Sequence, residues 1–304
     1  MVKPLAIAAA LSLLAACAAG AGAGPGLPAS IDYDAETRAI ARDFIDILYV
    51  QTDAAGAYAK YATPNFIDHN PEIADAANGV GAFRNARQAL DPPRDRDASG
   101  WRNEVTHVLV QHKMFAMLQA VFTGPDDPGR ICFDIFRVEN GRVVEHWSVA
   151  QANSPSPLND NTMHRSLSPH RRQSRNAPAP EAVIRDYIRM SAEEGAVAAM
   201  ERYLAPDVIQ HTPNIPDGKA AAIAFFRDRD NGRRTPEEIA QRITGIVRII
   251  SDGDLVLAHR HVRRPSGLDE VSVDLWRVHD GLIVEHWGAI QNAPATAAGG
   301  RTMW

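Results

Sequence analysis

The fold is decided by a stretch of sequence that occurs twice: DIFRVENGRVVEHWSVAQ at residues 134–151 and DLWRVHDGLIVEHWGAIQ at residues 274–291. Nine of the eighteen aligned positions are identical, without a gap. An earlier pair also matches, YATPNFIDH at residues 61–69 and YLAPDVIQH at residues 203–211. The offsets of these pairs, 140 and 142 residues, far exceed the roughly 20–50 residues of a solenoid repeat. The sequence therefore predicts a duplicated domain.

Each copy has the pattern of helices followed by an antiparallel meander. Apolar residues recur at helical spacing at the start of each copy, and two further helices are predicted, at 54–61 and 79–90 in the first copy and at 194–203 and 219–229 in the second. Strands are predicted at 105–111, 114–122 and 131–138, and at 243–250, 255–262 and 271–278. Asn140-Gly141 and Asp280-Gly281 then predict type I′ hairpins into a last strand. This order is typical of an α+β fold with helices packed on one sheet face.

Composition excludes several classes of protein. The chain has 304 residues and a formal net charge of -5, so it offers no basic surface for nucleic acid. Its two cysteines, Cys17 and Cys132, are too few for a disulfide framework or a multi-cysteine zinc site, and Cys132 is expected to be a buried thiol. Residues 153–179, rich in Ser, Pro, Asn and Arg, are predicted to be a linker, and residues 294–304 a tail.

The first residues have the composition of an export signal. Residues 1–17 contain one early lysine and a dozen-residue apolar run too short to span a bilayer, and they end in Leu-Ala-Ala-Cys, which resembles a bacterial lipobox. Lipidation of Cys17 would leave residues 18–33 as a flexible tether. The alternative is cleavage at a later Ala-Gly-Ala site, with Cys17 discarded. We expect a periplasm-facing lipoprotein, held at the outer membrane by its lipid anchor alone.

A candidate acid/base group lies on the strand before each hairpin. Alternation along the strand places Asp274 and Trp276 on one face, and Asp134 and Phe136 in the first copy. Burial among apolar residues would raise the pKa of such an aspartate toward neutrality, which suits a general acid/base. The alternative is a structural ion pair, for instance with Arg137 or Arg277 of a neighbouring strand.

Three histidines of the second copy are candidates to orient a substrate. His259 and His261 lie two residues apart and so share a strand face, where with His211 they could converge on a pocket mouth and stabilise an enolate. In the first copy, 140 residues earlier, Gln119 and Val121 stand at the positions of His259 and His261. Of the three histidines the first copy keeps only His69, the counterpart of His211. A zinc or iron site is the alternative, but no carboxylate is placed to complete it, so we predict no metal. Any one of these histidines is also compatible with a purely structural role.

The closing motif D-[IL]-[FW]-R-V-x-[ND]-G-x-[VI]-V-E-H-W resembles the SnoaL-like group of the nuclear-transport-factor-two-like superfamily. The resemblance covers residues 34–152 and 180–293. It implies two cone-shaped α+β barrels, each around an apolar pocket in which an aspartate performs an aldol closure without metal or cofactor. We expect the pockets to be lined by aromatic residues, namely Trp276, Phe136, Tyr203 and Tyr61.

The resemblance also bears on assembly, because superfamily members commonly dimerise through the sheet. In the final strand, Glu and Trp of the Glu-His-Trp motif share one face and His points to the other. The tryptophans are predicted to mediate sheet-to-sheet contact and the histidines to pack, so that the two copies form an intramolecular pseudo-dimer.

Three hypotheses for function follow. The first is a cofactor-free lyase, isomerase or cyclase acting on an oxygenated carbon skeleton, with Asp274 as proton shuttle and the histidines as orienting groups. The second is a non-catalytic envelope protein that holds a small hydrophobic ligand. The third is a structural module that recruits a partner through its sheet face.

Overall fold

The computed structural model describes residues 33–51, 53–71, 100–230, 243–263, 267–295, 297 and 300–304. The predicted signal, Cys17, most of the tether and the helix predicted at 79–90 lie outside the described residues. All described residues belong to one compact unit that runs from Tyr33 to Trp304. None of the described helices is both long and apolar enough to cross a membrane.

The N-terminal half, residues 33–152, begins with helices and ends in strands. Asp53 begins the second helix by accepting a 2.7 Å hydrogen bond from the backbone N–H of Gly56. The described elements of this half are α1 (Tyr33–Ile45), a π-helical turn (Asp46–Val50), α2 (Ala54–Tyr61), β1 (Ala62–Asp68), β2 (Arg102–Gln111), β3 (Met114–Phe122), β4 (Arg130–Glu139) and β5 (Arg142–Ala152).

The C-terminal half, residues 180–292, repeats this order. Pro180 opens its first helix, where a missing backbone N–H costs nothing. The elements are α3 (Pro180–Glu193), α4 (Ala196–Tyr203), β6 (Leu204–Gln210), α5 (Lys219–Asp230), β7 (Ile243–Asp252), β8 (Leu255–Arg263), β9 (Asp269–His279) and β10 (Leu282–Asn292).

The two sheets have the same topology. Their strand orders are β1-β5-β4-β3-β2 and β6-β10-β9-β8-β7. In each, the first strand pairs parallel with the last, and the other pairings are antiparallel. Both residues of each predicted hairpin turn have positive φ, 50° and 72° at Asn140-Gly141 and 48° and 84° at Asp280-Gly281, as type I′ turns require. The predicted α+β class is confirmed.

Each sheet has two packed faces. One face of each sheet packs on its own helices, around Phe44 and Phe136 in the N-terminal half and around Ile184 and Trp276 in the C-terminal half. The opposite faces pack on each other and form one shared core. We call this the shared core; it contains Leu109, Ala116, Leu118, Ile131, Phe133, Ile135, Trp147, Val149, Met163, Ile250, Leu257, Val271, Val273, Leu275, Trp287, Ala289 and Met303. The sheet face considered for partner recruitment is therefore covered by the other sheet.

The segments after β5 and β10 are integral to the fold rather than simple connections. Met163 and Met303 are 4% and 1% exposed and lie in the shared core. The linker also packs on the C-terminal half, because Asn159 donates to the carbonyls of Thr212 and Ile215 at 2.8 and 2.9 Å. Each methionine directly follows a threonine, and the two Thr-Met pairs are 140 residues apart. The repeated pattern therefore extends beyond the predicted ends of the domains.

Candidate functional site

The hairpin register brings a histidine to Asp274. In the β9–β10 ladder Asp274 pairs with Gly288 and Trp276 pairs with His286, so all these positions share one sheet face. Nε2 of His286 lies 3.1 Å from Oδ1 of Asp274. Gly288 allows this approach, since a Cβ there would lie 3.0 Å from that same oxygen. The result is an aspartate–histidine pair on the helix-facing side of the sheet.

Two further side chains complete the cluster. Arg260 on β8 donates through Nη2 to Oδ2 of Asp274. Nδ1 of His286 lies 2.8 Å from Oε1 of Gln210 at the end of β6. Both ring nitrogens of His286 thus lie within hydrogen-bond distance of a side-chain oxygen. We call Asp274, His286, Arg260 and Gln210 the C-terminal cluster.

The pKa of Asp274 is lowered, contrary to the sequence-based expectation. Burial alone would raise it, but the charge of Arg260 and the hydrogen bond from His286 outweigh burial and lower the pKa to about 2. Tyr187 on α3 packs edge-on against Trp276, with ring centroids 6.1 Å apart. Burial and the nearby Asp274 charge raise the pKa of Tyr187 to about 12. Tyr187 therefore stays a neutral phenol.

Equivalent strand positions in the N-terminal half hold a related cluster. His146 lies 3.0 Å from Oδ1 of Asp134 through Nε2 and 3.1 Å from Oδ1 of Asp68 through Nδ1. Gln119 donates to the other oxygen of Asp134. Burial would lower the pKa of His146, but the two carboxylates raise it to about 9. We call these four residues the N-terminal cluster.

The two clusters differ in their access to solvent. The side chains of Asp274 and His286 are 13% and 12% exposed, whereas those of Asp134 and His146 are 6% and 4% exposed. Gln119 also binds the hydroxyl of Tyr49 at 3.0 Å, which closes the N-terminal cluster further. The C-terminal cluster is the better candidate for contact with a small molecule.

His211 and His69 lie on the opposite side of the sheets from the aspartates. His211 stacks on Trp287 with centroids 4.8 Å apart and binds Glu285 at 2.9 Å and the Thr162 carbonyl at 2.5 Å. His69 makes the matching contacts with Trp147, Glu145 and the Thr302 carbonyl, the two hydrogen bonds being 2.8 and 2.7 Å long. His211 therefore binds the segment that follows β5, and His69 binds the segment that follows β10. Neither histidine reaches the predicted pocket.

His259 and His261 also point away from Asp274. His259 is fully buried and accepts a 3.1 Å hydrogen bond from Arg248, and its pKa is lowered to about 3 by burial and by that guanidinium. His261 binds Asp269 at 2.9 Å and stacks on Trp304. The predicted convergence of His211, His259 and His261 is therefore wrong. Among the described residues no group of His, Cys, Asp and Glu is arranged to hold a metal ion.

The comparison between the two copies was also displaced by one residue in this strand. In the strand ladders Met117 pairs with Asp134 and Ala258 with Asp274, so Gln119 corresponds to Arg260 rather than to His259. A shift of one residue moves every side chain of a strand to the other face. The alternative of a structural ion pair is met at Asp274, but its partner is Arg260. Arg137 and Arg277, the partners given as examples, bind Glu145 and Glu285 instead.

The predicted pocket aromatics divide into two groups. Trp276 and Phe136 stack on the cluster histidines, with centroids 5.5 Å apart for Trp276–His286 and 4.5 Å for Phe136–His146. Tyr203 is buried in the helix-facing core against Tyr187. Tyr61 instead donates to Asp43 on α1 at 2.5 Å. Cys132 is a buried thiol, as expected.

His286, His146 and Arg260 were not predicted from the sequence to be partners of the aspartates. Cross-strand partners share a face, but counting outward from the Asp280-Gly281 turn places Glu285 opposite Trp276. A register shift between Ile283 and Glu285 puts His286 there instead, on the side of Asp274. The hairpin signal alone therefore did not identify the histidines. To identify Arg260, the offset between the copies at β8 had to be known, and an alignment of two diverged copies does not fix that offset.

A family model for the SnoaL-like domain matches residues 184–286. Those residues form a SnoaL-like domain. It contains all four residues of the C-terminal cluster, and its last matched residue is His286. No match was found among curated proteins.

Solved structures similar to this chain include several proposed polyketide cyclases. IdmH, a proposed polyketide cyclase from Streptomyces antibioticus, is 20% identical, with 37% of this chain and 91% of that chain covered at a TM-score of 0.30. A proposed SnoaL-like polyketide cyclase from Jannaschia sp. CCS1 is 17% identical, with 40% and 92% covered at a TM-score of 0.31. A proposed polyketide cyclase from Acidithiobacillus ferrooxidans is 13% identical, with 39% and 92% covered at 0.30.

Proposed function

We propose that the chain consists of two tandem SnoaL-like domains, each a cone-shaped α+β barrel, and that the second carries out cofactor-free acid/base chemistry. The substrate class is a small oxygenated carbon skeleton, and the reaction is that of a lyase, an isomerase or an aldol-type cyclase. The observation that supports this best is the 3.1 Å contact between Asp274 and His286, partly accessible and stacked against Trp276.

The cluster supplies the groups that an aldol closure needs. Asp274 takes the proton from a carbon next to a carbonyl group, and the C–H electron pair moves into an enolate. The guanidinium of Arg260 stabilises the negative charge on the enolate oxygen. The enolate carbon then attacks a second carbonyl carbon, and the alkoxide formed takes the proton back from Asp274. His286 holds Asp274 in position, and Gln210 holds His286.

The N-terminal domain serves as scaffold in this proposal. Its Asp134 and His146 are more deeply buried and bind Asp68 and Gln119 rather than facing an accessible space. It contributes the shared core, against which the catalytic sheet is fixed.

The test is the substitution Asp274→Asn in the full chain, which keeps shape and removes the base. A screen of 1,3-dicarbonyl compounds by proton exchange and product formation supplies the assay. We expect turnover to fall by roughly 100-fold or more, with an unchanged circular dichroism spectrum. Asp134→Asn is the matched control and should keep turnover. Full activity of Asp274→Asn would overturn the assignment.

A non-catalytic binding protein is the second candidate, and the ion pair between Asp274 and Arg260 favours it. An aspartate with a pKa of about 2 is a weak base. Native mass spectrometry distinguishes the two functions, because a binding protein releases its small hydrophobic ligand chemically unchanged after incubation, whereas an enzyme converts it.

We further propose that the protein is exported and anchored at Cys17, with the periplasm as its compartment. The support is the sequence of residues 1–17 alone. The intact mass of the membrane-extracted protein tests it: a diacylglyceryl group on Cys17 is expected. A soluble form lacking Cys17 would show ordinary cleavage instead.

A further inference from the structure

The two clusters occupy the same strand positions but differ in charge. Asp134 and Asp274 correspond, as do His146 and His286. Asp68 pairs with His146 in the N-terminal half, and Gln210 pairs with His286 in the C-terminal half. The change from Asp68 to Gln210 removes one negative charge, and the change from Gln119 to Arg260 adds one positive charge. Summed over these two changes, the C-terminal cluster is therefore more positive than the N-terminal cluster by two charges.

Three buried polar atoms in and next to the C-terminal cluster have no partner among the described residues. Ser272 lies opposite Arg260 in the β8–β9 ladder, is 3% exposed, and its Oγ makes no hydrogen bond. Nε of Arg260 and Oγ1 of Thr212 are also buried without a hydrogen-bond partner. A Cβ at Gly288 would lie 3.3 Å from Oγ1 of Thr212 and 3.0 Å from Oδ1 of Asp274, so both atoms flank Gly288. Unpaired buried donors are costly, which indicates a polar group that is bound when the site is filled.

We infer that the C-terminal cluster binds a carboxylate group, so that its substrate class is small organic acids. This inference rests on the proposed function and names the substrate of that site. Arg260 uses one nitrogen for Asp274, and its planar guanidinium has other N–H groups for a second carboxylate. Ser272 and Thr212 supply hydroxyl donors beside it.

The experiment measures binding of 4-fluorobenzoate and 4-fluorobenzamide to the full chain by ¹⁹F NMR titration. The two probes have the same shape and differ in charge, and neither has a proton on the carbon next to its carbonyl carbon. We expect the benzoate to bind at least tenfold more tightly than the amide. Arg260→Gln, which installs the residue of the N-terminal cluster, should abolish that preference. Arg263→Gln removes an exposed positive charge from the same strand and should leave it intact.

Asp274→Asn should change the affinity for benzoate in the opposite direction from Arg260→Gln. Asp274 competes with the ligand for Arg260, so its neutralisation should strengthen benzoate binding severalfold while it abolishes turnover. A site in which Arg260 only neutralises Asp274 would show no such gain.

Gln210→Asp keeps Arg260 and adds the charge of Asp68, and it should weaken benzoate binding at least tenfold. This variant tests the inference if Arg260→Gln does not fold. The inference would be overturned by equal affinity for both probes or by no binding of either probe at about 20 mM. It would also be overturned if Arg260→Gln and Arg263→Gln reduced benzoate binding equally. Because neither probe is turned over, failure of catalysis and failure of carboxylate binding are separate results.

Discussion

His146 is enclosed between two carboxylates, and this position makes the free energy of unfolding depend on pH. Its pKa is about 9 in the folded chain, above the ordinary value of 6.5. The stabilisation is therefore fully present below about pH 6.5 and is lost as the pH rises through about 9. We expect the free energy of unfolding to fall by up to about 3 kcal/mol over that range, measured by urea denaturation.

His146→Gln should remove that alkaline loss and leave Asp68 and Asp134 as a buried like-charged pair. The variant should be less stable than the parent by about 3 kcal/mol near pH 6. His170→Gln is the control, because the side chain of His170 is 72% exposed. An alkaline loss that persists unchanged in His146→Gln would show that another group causes it.

His259 has the opposite pH dependence. Its pKa is about 3, so the unfolded chain binds a proton between about pH 6.5 and 3 that the folded chain does not. Its Nε2 is buried without a hydrogen-bond partner among the described residues. Leu118 stands at the equivalent position of β3, which suggests His259→Leu as the substitution.

Between pH 6.5 and 4.5 we expect the free energy of unfolding to fall by about 2 kcal/mol less in His259→Leu than in the parent. Acid titration of the unfolding free energy, followed by circular dichroism, measures this difference. Parallel acid profiles for parent and variant would contradict the assignment. His261→Leu is a control on the same strand face, since the side chain of His261 is 21% exposed.

At the scale of elements, the hairpins and strand faces were predictable and the register was not. Asn140-Gly141 and Asp280-Gly281 fixed both turns because positive φ at two successive residues restricts the choice of side chains. Within a strand, alternation correctly placed Asp274 with Trp276. Between copies, the offset is 142 residues at β1 and β6, 141 at β3 and β8, and 140 at β4 and β9. Each lost loop residue reverses the face assigned to the next strand, so Gln119 was matched to His259 although its counterpart is Arg260.

The segment that ends the chain acts as an element of the N-terminal half. The carbonyl of Thr302 binds His69 at 2.7 Å, and Met303 is 1% exposed in the shared core. Met303→Ala should lower the free energy of unfolding by about 2–4 kcal/mol, because it leaves a cavity between packed strands. Urea denaturation measures the loss. Leu158→Ala, at a residue that is 59% exposed, should change stability by less than about 0.5 kcal/mol. Equal effects of the two substitutions would show that Met303 is not packed as described.

At the scale of the whole molecule, the shared core predicts that both halves unfold in one transition. Trp287 belongs to the C-terminal half and is fully buried, and its indole ring meets His107 of β2 with centroids 4.5 Å apart. Trp287→Ala should therefore destabilise the strands of both halves by a similar amount, about 3–5 kcal/mol. Hydrogen exchange read by mass spectrometry measures this separately for peptides from β3 and from β9. Ile290→Ala, at a residue that is 50% exposed on β10, is the control and should leave both peptides protected. If protection fell in β9 and stayed unchanged in β3, the halves would be independent folding units, and the N-terminal half could not serve as the scaffold that fixes the catalytic sheet.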